Sequence, residues 1–527
     1  VTLNAQKTDA GEGLIPIPVN EIQFVFGADA TTSVTVTGST INANNITLSA
    51  TSTVNATPAT NDLMIVSTTA DSTVSVVDSS LIAGGVLGIS ATSSTTATSA
   101  ADGIGIPTLG DASVSTLDVD SSAIATVTGS SVLTVGGAAT ILASNTINAS
   151  TDSDAETGVA GAGIAITLVD QTTRAAVDAG SATWSAASLS VVATSDNTVA
   201  GTSKASPGGA EEDGSNPDTP ESRTDNNANN NGTSVSVAGA LTYTSLDSST
   251  EAYIQGPNSL VIGSVGELVV RAASAHTSSA TADGSTVSGA ATGVGVAVAV
   301  NDVDVTTDAW LDGGVHLTAP TVSVKANNVD SKIDSFVASA TSGAGNADPA
   351  NVNVAGALAV NLVNGRRTAA VGVEPPALAT GASVSGNLTL AAASDGSDST
   401  VAKADSGPGS TLGFGASIAL SLMDESTEAK IVDDATVGSV GDLTLSAVAN
   451  RTSSNEAKTG ASGGLAFSPS VAVSLSNMSS RTTPGSGSEL AIGGNYDASA
   501  AQTARLTTKA DGEATDASTA AVGVSLA

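Results

Sequence analysis

The chain has no cysteine, which excludes disulfides and thiolate metal sites alike. Phe, Trp and Tyr together make up 2% of its 527 residues, so the large side chains that normally fill a wide globular core are missing. Basic residues are also scarce, 16 against 50 acidic ones, for a formal net charge of −34. A surface this negative repels phosphate backbones and anionic headgroups, so nucleic acid is not an expected partner. The most apolar run, Val287 to Val300, is broken by Gly and Ala and falls short of the ~20 residues needed to span a bilayer as a helix. Membrane insertion is therefore not expected. Only two histidines occur, His276 and His316. Both precede the single G-x-S-x-G match, Gly460 to Gly464, whereas the hydrolase order places the histidine after the nucleophile. That match reads as a Gly-rich turn, no phosphate-binding loop is present, and the sequence does not read as an enzyme.

What remains is abundant: 40% of residues are hydrophobic, almost all of them Ala, Val, Leu and Ile, with 55 Gly and many Ser, Thr and Asn. At a mean hydropathy of +0.20 the chain is too apolar for disorder. Such a composition suits close-packed strands joined by frequent turns.

A period-2 word, apolar-polar-apolar-polar-Ala, recurs along the chain. It appears as VTLNA at Val1, ITLSA at Ile46, LGISA at Leu87, LSVVA at Leu189, LVVRA at Leu268, VSVKA at Val322, LTLAA at Leu388 and LTLSA at Leu443. Degenerate copies lie at Ala139 and Ala504. The centres run from Leu3 to Leu506 at a mean step of about 56 residues. Between copies lies a Gly/Ala-rich strand, such as VAGALTYTSLD at Val237, VAGALAVNLVN at Val354 or FSPSVAVSLSN at Phe467. A corner and a further short strand follow, as in SLDSSTEAYI at Ser245 and LMDESTEAKI at Leu422. Each unit thus reads as strand, corner, strand, Gly/Ser turn, strand and polar tail.

A unit that cannot enclose a core by itself must stack on its copies. The expected fold is all-β, an elongated parallel β-solenoid of about ten ~56-residue repeats. Tandem small β-sandwiches are the alternative, but they need about seven strands per ~100 residues and usually a bulky core residue. Residues 1–527 form one continuous repeat region, interrupted by an acidic, Pro/Gly/Asn-rich insertion at 206–232 that reads as a protruding loop.

The corner repeats Asp or Asn at Asp170, Asp247, Asp304, Asn364, Asp424 and Asn477. Stacked carboxylates are hard-cation ligands, which makes Asp170, Asp247, Asp304 and Asp424 calcium candidates. The reading favoured here is an Asx-type turn at each, with no cofactor required. Trp184, Trp310 and Tyr253 are the one hint of a carbohydrate-binding aromatic surface. The chain opens on a strand word and closes on another, TAAVGVSLA. Val1, Leu3, Val522, Val524 and Leu526 are therefore expected at open β-edges, where the same chain continues or another copy stacks.

The words GNLTLAA at Gly386, GDLTLSA at Gly441 and VAGALAVNLVN at Val354 resemble the repetitive stalks of giant secreted bacterial exoproteins of the filamentous-haemagglutinin and large-adhesin type. The resemblance spans most of the chain from about Ile46 and rests on low-complexity words. It implies an extracellular or cell-surface location, a fibre, adhesin-stalk or biofilm-matrix role, self-association, and cell-surface glycans as a second class of partner. It carries over no catalytic residue. A cell-surface carbohydrate- or calcium-binding solenoid is the alternative function.

Overall fold

A computed structural model describes residues 1–9, 24–60, 63–103, 111–155, 160–178, 180, 183–205, 236–256, 259–287, 292–312, 315–345, 352–372, 381–407, 411–515 and 517–527. The insertion read at 206–232 lies outside the described residues. The described chain is all-β and forms three parallel sheets, consistent with a parallel β-solenoid.

Each repeat contributes one rung. In one rung, Ser236–Gln255 adds to the second sheet, Ser259–Ile262 to the third and Glu267–Val287 to the first. Every neighbour along a sheet is roughly one repeat away in sequence, and every pairing is parallel. Ten stacked rungs at about 4.8 Å give a height of about 48 Å, while a 20-residue strand spans about 66 Å. The stack is therefore wider along its strands than it is tall.

The register confirms the ladder of repeat words and corrects its last step. Leu3, Leu48, Ile89, Ile141, Val191, Val270, Val324, Leu390 and Leu445 pair in succession, each inward-facing. The tenth partner is Ala498, whereas Leu506 pairs with Ser453. The unit also differs from its expected layout. The corner does not break the chain: Ser236–Gln255 runs straight through Asp247 as one strand. The polar tail is strand as well, as in Glu267–Val287. The third sheet forms within the stretch read as a Gly/Ser turn. Inside a solenoid Ser, Thr and Asn can bond one another across the core, so polarity does not mark a turn.

Turn chemistry explains where the second sheet hands over to the third. The residue after the long strand is left-handed in rung after rung: Gly38 (φ 56°), Asp78 (φ 48°), Gly129 (φ 72°) and Gly256 (φ 60°). Gly tolerates this region without a Cβ penalty, and Asp is among the side chains that visit it most readily.

The core has three zones across the strands. Beside the third sheet it is wide and filled by Leu, Ile and Val, including Leu48, Ile89, Leu133, Ile254 and Leu390, with Trp184 buried among them. A middle zone holds Val, Met and Phe336. At the far end the apolar lining among the described residues is Ala alone, including Ala240, Ala299, Ala357 and Ala419, interleaved with buried Ser and Thr such as Ser203, Thr242 and Ser470. There the two long sheets nearly touch. A Cβ at Gly163, Gly295 or Gly413 would collide with the carbonyl oxygen of Lys204, Gly343 or Ser462 on the facing sheet.

The first and last rungs pair on one side. Val1 and Leu3 are 56% and 41% exposed; Val522, Val524 and Leu526, which continue the outer columns of Phe467, Pro469 and Val471, are 44%, 56% and 61% exposed.

Candidate functional sites

Three groups of side chains could carry chemistry: the repeated Asp/Asn column, the aromatic residues and a buried ionic cluster that the sequence did not reveal.

The register does align the corner residues. Asp120, Asp170, Asp247, Asp304, Asn364, Asp424 and Asn477 form one column on the outer face of the second sheet. Each sits within a strand and not at a turn, so the Asx-turn expectation is overturned. The column splits in two. In its upper part amides alternate with the carboxylates and bond to them: Asn364 Nδ2 donates to Asp304 Oδ2 at 3.1 Å and Asn477 Nδ2 to Asp424 Oδ1 at 3.1 Å. Asp424 thus stands between two asparagines, apart from the other calcium candidates. Lower down, Asp120, Asp170, Asp247 and Asp304 stack without an amide between them. Partial burial, then repulsion from Asp170 and Asp304, raises the Asp247 carboxyl above its ordinary value. Asp120 is raised by burial and by Asp71, Asp170 and Asp118. Among the described residues no group of three or more His, Asp or Glu is arranged to hold a metal ion. A shallow, open groove of about 440 Å³ follows the upper part, walled by Leu362, Leu422 and Leu475 on one side and by Asp304, Asn364 and Asp424 on the other.

The aromatic residues do not make a common surface. Trp184 is 1% exposed, and its indole Nε1 donates to Ser131 O at 2.8 Å inside the core. Tyr253 and Trp310 pair in register on the outer face and stack at 4.0 Å and 6°, so each ring covers one face of the other.

A seam of hydrogen-bonded polar side chains runs up the interior between the wide and middle zones. Ser93 meets Ser121 at 2.9 Å, Ser195 meets Thr250 at 2.7 Å and Ser274 meets Thr307 at 2.7 Å. Higher up, the seam turns ionic. Arg451 holds Asp398 through Nε at 2.8 Å and Nη2 at 2.9 Å, reaches Glu425 at 3.1 Å, and lies 5.1 Å over the Phe336 ring. Arg367 Nη2 bonds Asp334 Oδ2 at 2.6 Å, and Asp334 Oδ1 accepts the His276 backbone N–H at 3.1 Å. All six ionisable groups are buried.

The backbone makes room for this cluster. The first sheet's strand is interrupted between Asn328 and Asp334, and Asn328 spans the gap by accepting from Asp395 N at 2.9 Å and donating to Asp395 O at 3.2 Å. The Arg451 guanidinium lies against Gly396, where any Cβ would strike it. Burial pushes Glu425 up to about 7 and Asp398 up to about 6, against the attraction of Arg451. Burial works against the Asp334 charge too, but Arg367, His276 and Arg451 outweigh it and hold that carboxyl below its ordinary value. Burial pulls His276 down to about 4, so the ring is neutral near pH 7. With two guanidiniums facing three carboxyls, the cluster is neutral when one carboxyl keeps a proton, and Glu425 is the one that holds it most tightly.

The void beside the cluster measures about 10 Å³, room for nothing larger than a water molecule. It is no substrate pocket. Ser462 of the G-x-S-x-G match ends a strand, where its hydroxyl donates to Ser406 O at 3.1 Å. Comparison with protein-family models, with curated proteins and with solved structures finds no match in any of the three.

Proposed function

We propose that this chain is a structural repeat protein, a segment of an extracellular fibre or adhesin stalk built by stacking β-rungs. The observation that carries this reading is the register itself: the two long sheets keep parallel partners through ten rungs, across an interrupted strand and a buried ionic cluster. Such a stack gains rigidity from cooperative backbone hydrogen bonding along its ladders. The first and last rungs present unpaired ladders to which further rungs, of this chain or of another copy, add without a change of geometry. The sequence resemblance to secreted stalks and the strongly acidic composition agree with an exposed, surface location.

Electron microscopy of the purified chain across concentrations, with calcium or with a chelator, tests this. The expected result is fibres about 66 Å wide that lengthen with concentration and ignore the chelator. Discrete particles about 48 Å tall at every concentration would contradict end-to-end stacking. Calcium-dependent fibres would favour the calcium-binding alternative.

A further inference from the structure

The strands of the second sheet are apolar on both faces over their first half, yet only the inner face is covered. Five outer columns are involved. The first runs Val237, Val294, Val354, Phe414 and Phe467; the third runs Leu241, Val298, Leu358, Ile418 and Val471; the fifth ends in Leu362, Leu422 and Leu475. Val237, Leu241, Val296, Ile418 and Leu475 are 40%, 39%, 42%, 47% and 62% exposed. Between the first and third columns the second is low at Gly239 and Gly356, which face open space, and carries Val296 between them. The outer surface is thus a broad apolar face, lowest at those two glycines. With Ile164, which pairs with Leu241, supplying a sixth rung, eight residue steps by six rungs give a patch of about 27 by 29 Å, close to the ~800 Å² each partner contributes to a standard protein interface.

We propose that this face binds the same face of a second copy, joining two stacks side by side. Apolar sheet faces pack against each other at about 10 Å, and an apolar face of this area is covered by the same face of a second copy. The acidic column selects the symmetry. A two-fold axis parallel to the strands would set Asp170, Asp247 and Asp304 of one copy against those of the other. A two-fold axis along the stack, passing through the Leu241 column, instead places the two acidic columns at opposite edges, about 40 Å apart. The stacks then run in the same sense, and each rung faces its own counterpart. Lateral pairing does not depend on end-to-end stacking, and either can fail alone.

The test uses the full chain, which has no native cysteine. Sedimentation equilibrium should show a dimer that tightens with salt, because salt screens the net charge of −34. The double variant Leu241→Lys/Ile418→Lys should shift the dissociation constant by at least 100-fold towards monomer with an unchanged circular dichroism spectrum, although it lowers the overall repulsion. Leu241→Cys and Ile418→Cys, each treated with a short bis-maleimide, should both cross-link to themselves. A chain that stays monomeric at 100 µM overturns the proposal, as does binding of the monomer to phosphatidylcholine vesicles, or failure of both single-cysteine variants to self-cross-link.

Discussion

The two ends of the core differ sharply although the same backbone ladders support both. Beside the third sheet, Leu, Ile and Val fill a wide wedge, and stability there comes from apolar area removed from water. At the far end, Ala lines two sheets whose backbones approach until only Gly fits at the closest points. Little side-chain area is buried per residue there, so close contact and hydrogen bonds across the core, such as Ser203 to Thr242 at 2.7 Å and Ser470 Oγ to Ala457 O at 2.7 Å, hold the sheets together. A low-aromatic sequence can therefore build a wide protein, provided that it is thin. Between the two ends, the polar seam and its ionic segment are where a fault would cost most.

The largest effect is expected at that segment. Arg451→Ala would leave Asp398 and Glu425 buried without the guanidinium that bonds them, and urea denaturation at pH 8 should show a loss of about 3–5 kcal/mol. The comparison of the two core ends comes next. Leu390→Ala at the wide end should cost about 3 kcal/mol through a cavity, whereas Ala357→Leu at the narrow end should cost about 2 kcal/mol through overpacking. If Ala357→Leu were neutral, the far end would be looser than the glycine contacts indicate.

Glu425→Gln isolates the surplus proton. Because the folded Glu425 value, about 7, lies above that of the unfolded chain, the folded state binds the proton more tightly. Glu425 therefore costs stability as pH rises from about 4.5 to 7. The glutamine variant should gain about 2 kcal/mol over the parent at pH 8 relative to pH 5, from unfolding midpoints at both. Over much of this range His276 acts oppositely: its folded value of about 4 is depressed, so its contribution is lost as pH falls from 6.5 towards 4. Asp398, raised to about 6, adds a second slope of the Glu425 sign below pH 6, so His276 offsets only one of the two carboxyls in the parent.

The smallest effect concerns the acidic column. Asp247→Asn removes one of four stacked like charges and should stabilise by less than about 1 kcal/mol in low salt, equally with calcium or chelator. A calcium-dependent loss of stability would identify a metal bound between rungs.

Much of this was legible in the sequence because a stack converts period into contact. Nine repeat words from Leu3 to Leu445 fall in one column, as do all six Asp/Asn positions from Asp170 to Asn477. The tenth word failed because Tyr496 to Ala500 lacks the alternating apolar signature, and ARLTT offered a better local match eight residues later. Strand length was hidden because buried Ser, Thr and Asn look like loop residues until their partners across the core are known. The ionic cluster was hidden because its members lie in successive repeats. Only the register brings Asp334, Gly396 and Arg451 into one column, with His276 bonded to Asp334 below them.

The fold depends on one rung per repeat. Cryo-electron microscopy of the purified chain at a resolution that separates strands tests it most directly. The expected map shows ten rungs about 4.8 Å apart in two long sheets, closed at one side by a short third sheet. Two rungs per repeat, or a string of separate sandwich domains, would contradict it.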